Sequence, residues 1–148
     1  MRDQRFVAEH RGGPLALETH RRLATWAADC AEHVLSLFAK ESADERPLHA
    51  IAIARAWTRA EVTVGEARAA AIAAHAAARS VHQPSAIAAA RAAAHAAATA
   101  HMADHALRAA SYARKAVVAP ELELTWQLEK LPSELQSLVR SELADHTP

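Results

Sequence analysis

The sequence contains few of the residues on which many small folds and active sites depend. It has one cysteine, Cys30, in 148 residues, so an internal disulfide and a zinc site made of several cysteines are excluded. It has three glycines and no glycine-rich phosphate loop, GxSxG elbow or CxxC pair, which excludes enzymes built on those motifs. Aromatic residues make up 4% of the chain. The core therefore has to consist mainly of alanine and aliphatic side chains.

The charge balance and the apolar segments point to neither a nucleic acid nor a membrane partner. Lys plus Arg and Asp plus Glu each number 17, for a formal net charge of zero, so no overall field attracts polyanions. No RNP, helix-turn-helix or zinc-finger motif is present. Residues 1–13 are too polar for a signal peptide, and no uninterrupted apolar run approaches the ~18 residues of a membrane span. These features predict a cytoplasmic location.

An alanine-rich stretch over residues 85–115, without Gly or Pro, organises the rest of the chain. Alanine is the best helix former, and its small side chain lets helices approach to about 8 Å. One helix from Ser85 to Val117 would be about 50 Å long, which exceeds the length of any helix that could pack beside it. A weak repeat with an offset of 36 residues is consistent with two-helix units. We therefore predict a break at residues 97–100.

Helical spacing of apolar residues predicts further helices on both sides of this stretch. The pattern favours helices over residues 19–40, 47–62 and 63–80, with Pro47 in a first helical turn and a capping box at Thr63. The predicted fold class is all-α, a compact bundle of about six to seven helices built from antiparallel helical hairpins around an alanine-rich core.

The domain organisation follows from the same pattern. Residues 1–17 are expected to form an extended N-terminal arm, because they contain Gly-Gly-Pro and no sustained period. Residues 18–144 are expected to form one helical domain. Within it, residues 120–144 are predicted to be capping helices that begin at prolines.

Polar residues within the predicted helices form a candidate site. Asp29 and His33 are four residues apart, so the carboxylate could orient the imidazole as in a catalytic or ligand-binding pair. Arginine keeps its charge when buried, and several arginines together could bind a carboxylate or a phosphate. The alternative, which we favour, is that these arginines form structural ion pairs with acidic residues. The candidate site consists of Asp29, His33, Arg55, Arg59, Arg91, His95 and Asp104.

His101 and His105 form a candidate metal pair. Four residues apart on one helix, they could bind Zn²⁺ or a similar divalent metal, with His95 and Asp104 nearby. The motif is HMADH and lacks the glutamate of HExxH metalloproteases. The favoured alternative is that the imidazoles bind neighbouring polar groups or face water, so that no cofactor is needed. Cys30 is expected to be a buried apolar side chain rather than a nucleophile.

Several segments carry a resemblance to a known family. The chain is similar to the Imm-5-like immunity proteins, small all-helical bacterial proteins of polymorphic toxin systems, over about residues 19–139. The resemblance implies a cytoplasmic α-helical domain that neutralises a cognate protein toxin by direct binding, and it supplies no catalytic residues. The segments that carry it are WAADCAEHVL (26–35), DERP (44–47), ARAWTRAE (54–61), AAARAAAHAAATAHMADHA (88–106) and WQLEKLP (126–132).

Two functional hypotheses remain. The first is a toxin-binding protein without enzymatic activity, for which glutamates near the C-terminus could supply an acidic patch. The second is a small-molecule- or metal-binding helical protein, or an enzyme, that uses the His, Asp and Arg residues of the core. A cavity shared by Asp29, Arg55, Arg91 and His95 would favour the second, and closed ion pairs would favour the first. Alanine-rich faces leave a homodimer open in either case.

Overall fold

A computed structural model of the protein describes residues 3–145, and helices predominate in it. Seven helices have ten or more residues and one, α2, is a single turn, which confirms the predicted all-α bundle. Within residues 3–145 there is no β-strand, and an isolated bridge pairs Ala8 with Leu15. The helices are α1 (Leu17–Val34), α2 (Ser36–Ala39), α3 (Arg46–Thr58), α4 (Val64–Ala78), α5 (Pro84–Ala98), α6 (His105–Ala116), α7 (Pro120–Lys130) and α8 (Gln136–Asp145).

The alanine-rich helix α5 lies at the centre of the bundle. It packs against α1, α2, α3, α4 and α6, and all of its alanines are buried. Small side chains allow this many neighbours to approach one helix. The predicted break is confirmed, because α5 ends at Ala98 and a turn over residues 99–104 leads into α6. In that turn the Thr99 hydroxyl donates to the carbonyl oxygen of His95 at 2.9 Å, which satisfies a polar group inside the core.

The helix starts follow local sequence signals. The capping box is confirmed: Thr63 Oγ1 accepts from the Glu66 backbone N–H at 3.1 Å, and Glu66 Oε1 accepts from the Thr63 N–H at 3.2 Å. Pro47 lies in the first turn of α3, as predicted. The helix predicted over residues 19–40 is interrupted, since α1 ends at Val34 and α2 begins at Ser36.

The N-terminal segment is folded against the bundle, whereas an extended arm was expected. Gln4–Phe6 and Glu9–Arg11 form two 3-10 turns. Phe6 and Leu15 are buried in the main core. Gly13 approaches the backbone so closely that a Cβ atom there would lie 2.1 Å from the Val7 carbonyl oxygen. The expectation was wrong because these apolar side chains find room in the core, which the local sequence does not reveal.

A buried polar network fixes α7 against α1 and α6. Trp26 Nε1 donates to the Gln127 carbonyl oxygen at 2.8 Å, and Gln127 Nε2 donates to the Ala110 carbonyl oxygen at 2.9 Å. Arg114 Nη1 donates to Gln127 Oε1 at 2.9 Å. Burial lowers the pKa of Arg114. One glutamine side chain therefore joins two helices and sets the position of the α7 residues next to it.

No helix within residues 3–145 combines the length and the apolar character needed to cross a membrane.

Candidate functional site

An open groove lies between α1 and α7. It has a volume of about 270 Å³ and is lined by Asp29, Glu32, His33, Trp126 and Lys130. A smaller pocket of about 120 Å³ shares Asp29 and Lys130 with it and extends along α1. We call the two together the α1–α7 groove. Arg22, at the far end of the groove, forms an ion pair with Glu134.

The floor of the α1–α7 groove is a pair of stacked rings. The His33 and Trp126 ring centroids are 3.6 Å apart with an interplanar angle of 4°. His33 Nδ1 lies 2.6 Å from Oε2 of Glu123, whose side chain is 7% exposed. The carboxylate accepts from Nδ1–H, so it fixes both the orientation and the protonated nitrogen of the ring. Lys130 Nζ lies 5.7 Å from the Trp126 ring centroid. The result is a rigid, partly exposed aromatic platform.

The rim of the groove on the α1 side consists of ion pairs. Arg55 of α3 contacts Asp29 Oδ1 at 3.0 Å and Glu32 Oε2 at 3.2 Å. The predicted pairing of Asp29 with His33 is wrong. Asp29 binds Arg55 and His33 binds Glu123, because α3 and α7 bring these partners to 3.0 Å and 2.6 Å.

Arg59 lies outside the groove. It follows the last residue of α3 and its Nε donates to Glu61 Oε1 at 2.8 Å. Both side chains are more than half exposed, at 57% and 52%. Arg55 and Arg59 thus agree with the structural ion-pair alternative.

A second polar group, the histidine cluster, lies between α4, α5 and α6 and consists of His75, Arg91, His95, His105 and Tyr112. Arg91 Nη1 donates to His75 Nδ1 at 2.8 Å, so the neutral His75 ring carries its proton on Nε2. The Nδ1 atoms of His95 and His105 are 2.8 Å apart. The His95 ring also stacks on Tyr112, with centroids 5.3 Å apart and an interplanar angle of 8°.

Two imidazoles of the histidine cluster, those of His75 and His95, are held neutral. Burial lowers the pKa of His75, and the charges of Arg91 and Arg79 lower it further. Burial, together with repulsion from His105, His75 and nearby arginines, lowers the pKa of His95 to about 3. At neutral pH these rings therefore act as hydrogen-bonding groups without charge.

The proposed metal pair does not lie on one helix face. His101 is in the turn before α6 and His105 is the first residue of α6, although their ring centroids are 5.1 Å apart. The Nδ1 atoms of His95 and His105 are closer than the about 3.3 Å expected of two nitrogens bound to one tetrahedral zinc. Within residues 3–145, no set of three or more His, Cys, Asp or Glu side chains is arranged to hold a metal ion. Asp104 immediately precedes α6 in the same turn.

The candidate residues form two separate regions instead of one site. Asp29 and Arg55 bridge α1 and α3, whereas Arg91 and His95 contact α4 and α6. No described cavity brings the four together. Cys30 is fully buried, and burial raises the pKa of its thiol, which confirms the expectation of an apolar core residue.

Sequence reasoning missed the residues that connect different helices. Trp126 and Lys130 are four apart on α7, which places them on one helix face, but nothing local indicates that α1 covers that face. His75 and Tyr112 join the histidine cluster through contacts with α5. Glu123 was noticed only as one of several C-terminal glutamates.

Comparison with known proteins gives a family and no close relative. No curated protein and no solved structure matches the chain significantly. A family model described as "Imm-5 like putative immunity protein" matches residues 13–134. The match includes α1 to α7 and therefore both the α1–α7 groove and the histidine cluster. The resemblance noted in the sequence is thus confirmed, and the chain belongs to the Imm-5-like immunity protein family.

Proposed function

We propose that this protein neutralises a cognate bacterial toxin by binding it directly, in the cytoplasm, through the α1–α7 groove. The single observation that carries the assignment to this surface is the stacked pair of His33 and Trp126, held by Glu123 at 2.6 Å. Tryptophan is among the residues that contribute most to protein interfaces. The stack also orders the ring before a partner arrives, so little conformational entropy is lost on binding.

The shape of the groove favours a protein partner. Small-molecule sites enclose most of their ligand, whereas this groove is shallow and open. Its charged side chains already have partners within the protein, as in the pairs of Arg55 with Asp29 and Glu32. A side chain that protrudes from the surface of a partner protein can cover the aromatic platform without breaking these ion pairs.

The charge around the groove favours a basic partner surface. Residues 121–145 contain six acidic and two basic residues. Glu32 on α1, Glu129 on α7 and Glu134 just after α7 are exposed. Carboxylates spread around an interface accelerate encounter with a basic protein and matter less for the stability of the final complex. We infer a toxin with a lysine- or arginine-rich docking surface.

The test uses the toxin encoded beside this gene, in growth rescue and calorimetric titration. Wild-type protein should restore growth to cells that express the toxin and should bind it. Trp126→Ala should weaken binding by at least about 30-fold, which corresponds to about 2 kcal/mol. Leu122→Ala is the matched control. Leu122 is also on α7 and is 70% exposed, but it does not line the groove, so its loss should change affinity less than threefold.

Charge variants separate the two parts of the proposal. Glu32→Gln combined with Glu129→Gln should slow association several-fold at low salt and have little effect at high salt. If wild-type protein neither binds the toxin nor restores growth, toxin neutralisation is refuted. Binding that Trp126→Ala leaves unchanged would refute the groove as the docking surface.

A further inference from the structure

The zero net charge conceals an uneven distribution along the chain. Residues 67–120 contain six Lys and Arg residues and a single acidic residue, Asp104. They also contain five of the ten histidines. These residues form α4, α5 and α6 and the turns between them. The helices that carry the histidine cluster are therefore strongly cationic, and the compensating acidic residues lie elsewhere in the sequence.

A pocket on α6 collects several of these groups. It has a volume of about 190 Å³ and is lined by Leu107, Arg108, Ser111, Tyr112 and Lys115. Spacings of three, four and seven residues place these side chains on one face of α6. Lys115 Nζ lies 5.0 Å from the Tyr112 ring centroid. We call this the α6 pocket.

The two cations that line the α6 pocket, Arg108 and Lys115, and Arg91 of the histidine cluster lack described carboxylate partners. Among the carboxylates that the structure describes, none forms an ion pair with Arg91, Arg108 or Lys115. Five of the arginines outside residues 67–120 differ in this respect, whereas Arg11, Arg21 and Arg140 also have no ion pair with a described carboxylate. Arg5, Arg22, Arg46, Arg55 and Arg59 each contact at least one carboxylate.

The excess of positive charge also affects the histidine cluster next to the pocket, where burial and this charge together lower the pKa of His95. Tyr112 stacks on His95, which connects the α6 pocket to the interior. His95 is kept neutral by burial and by surrounding cationic groups. An anion in the pocket would offset part of that repulsion. The charged and titratable groups that surround His95 are His75 from α4, Arg91 from α5, and His105, Arg108 and Tyr112 from α6.

We propose that the α6 pocket binds a small molecule through its phosphate group, with Arg108 and Lys115 as the charged contacts and Ser111 as a hydroxyl donor. Arginine offers a planar fork that matches phosphate oxygens, and lysine supplies a compact positive charge. The serine hydroxyl can donate to a third oxygen. The pocket is open to solvent, as the α1–α7 groove is, so the phosphate group would be held by charge rather than by enclosure, and the rest of the molecule would stay largely in solvent. This site is separate from the α1–α7 groove and does not depend on toxin binding.

The test measures binding of three defined probes to the full chain in phosphate-free buffer: inorganic phosphate, pyrophosphate and adenosine 5′-diphosphate. We expect saturable calorimetric binding of at least one probe with a Kd of ~1 mM or tighter, and shifts of the Tyr112 and His95 NMR resonances at saturation. A stronger response to adenosine 5′-diphosphate than to pyrophosphate would identify a nucleotide as the source of the phosphate. Equal responses would identify the phosphate group alone. Either result supports the site.

Charge-matched variants locate the binding. Arg108→Gln with Lys115→Gln should weaken it at least tenfold, since both charged contacts are lost. Arg59→Gln with Lys40→Gln removes the same charge from exposed positions outside the pocket and should leave affinity within twofold of wild type. Trp126→Ala in the α1–α7 groove should also leave it unchanged. The proposal is overturned if none of the probes binds saturably by ~10 mM, or if the control pair weakens binding as much as the pocket pair does.

Discussion

The α1–α7 groove and the α6 pocket differ in whether their charged side chains have partners of opposite charge. In the groove, Arg55 contacts two carboxylates and His33 contacts Glu123. At the α6 pocket, Arg108 and Lys115 have no such partner among the described carboxylates, and the neighbouring His95 is kept neutral. Two surfaces of one neutral protein therefore differ in sign and in how completely their charges are satisfied. Net charge alone would not have distinguished them.

A buried network lies between the two regions and supports both. On α6, Arg114 points into the core beside the exposed Lys115, and on α7, Gln127 is buried beside the groove residue Trp126. Arg114 and Gln127 contact each other at 2.9 Å. The two surfaces are thus carried on helices that share an internal anchor, and perturbing that anchor should affect both.

The largest expected effect comes from removing this anchor. Gln127→Ala deletes one acceptor of Arg114 and the donor to the Ala110 carbonyl oxygen, so each of these buried groups loses a hydrogen-bond partner. We expect the free energy of unfolding to fall by about 2–4 kcal/mol, measured by urea denaturation. Thr125→Ala, at an exposed position of α7, should cost less than about 0.5 kcal/mol. A loss below 1 kcal/mol for Gln127→Ala would mean that the network does not hold the two regions together.

A smaller effect is expected on the pH dependence of stability, to which the histidine cluster contributes. Because the pKa of His95 is lowered to about 3 in the folded protein, the unfolded state binds a proton that the folded state does not. Stability therefore falls as pH drops below the ordinary value of 6.5, by about 1.4 kcal/mol per pH unit for one group. Burial also lowers the pKa of His20 and His75. The unfolding free energy of the wild type should therefore depend on pH more steeply than one proton alone would give.

The variant His95→Gln isolates the contribution of one imidazole. Between pH 6 and pH 4, its unfolding free energy should depend less steeply on pH than that of wild type, by up to one proton equivalent. The matched variant His49→Gln, at an exposed position of α3, should keep the wild-type slope. Identical slopes for wild type and His95→Gln would show that His95 is not held neutral by its surroundings.

The smallest effect is expected at the rim of the groove. Asp29 and Arg55 form a partly exposed pair at 3.0 Å, where solvent and salt screen the attraction. A double-mutant cycle with Asp29→Asn and Arg55→Gln should give a coupling energy of at most about 1 kcal/mol, which decreases in high salt. A coupling above 2 kcal/mol would contradict the contrast between a screened rim and a buried anchor.

Local signals in the sequence were enough to place most helices. The capping box at Thr63 and the proline in the first turn of α3 mark starts that the structure confirms. The break after Ala98 followed from a length argument about packing. The interruption at Leu35 and the folded N-terminal segment could not be anticipated. The folded N-terminal segment depends on contacts with residues distant in sequence, such as the burial of Phe6 in the main core, and the structure gives no physical reason for the interruption at Leu35.

In the candidate site, too, the sequence predicts which chemical groups are present better than it predicts which groups contact each other. Residue types alone identified Asp29, His33, Arg55, Arg91 and His95 as polar groups inside an apolar bundle. The favoured ion-pair alternative holds for Arg55, which contacts Asp29, whereas the partner of His33 was not predicted: it contacts Glu123 at a sequence separation of 90 residues. An interval of four residues shows which side chains share a helix face. It carries no information on which helix covers that face.

By itself, the amino-acid sequence determined an alanine-rich helical bundle, its family and the chemical groups available for binding, because helix propensity, periodicity and side-chain chemistry are local properties. Only the tertiary structure decided that these groups divide into an acidic aromatic groove and a cationic pocket. That division depends on how α3 and α7 pack beside α1 and how α4 and α6 pack beside α5, and packing is set by the whole core rather than by any one segment.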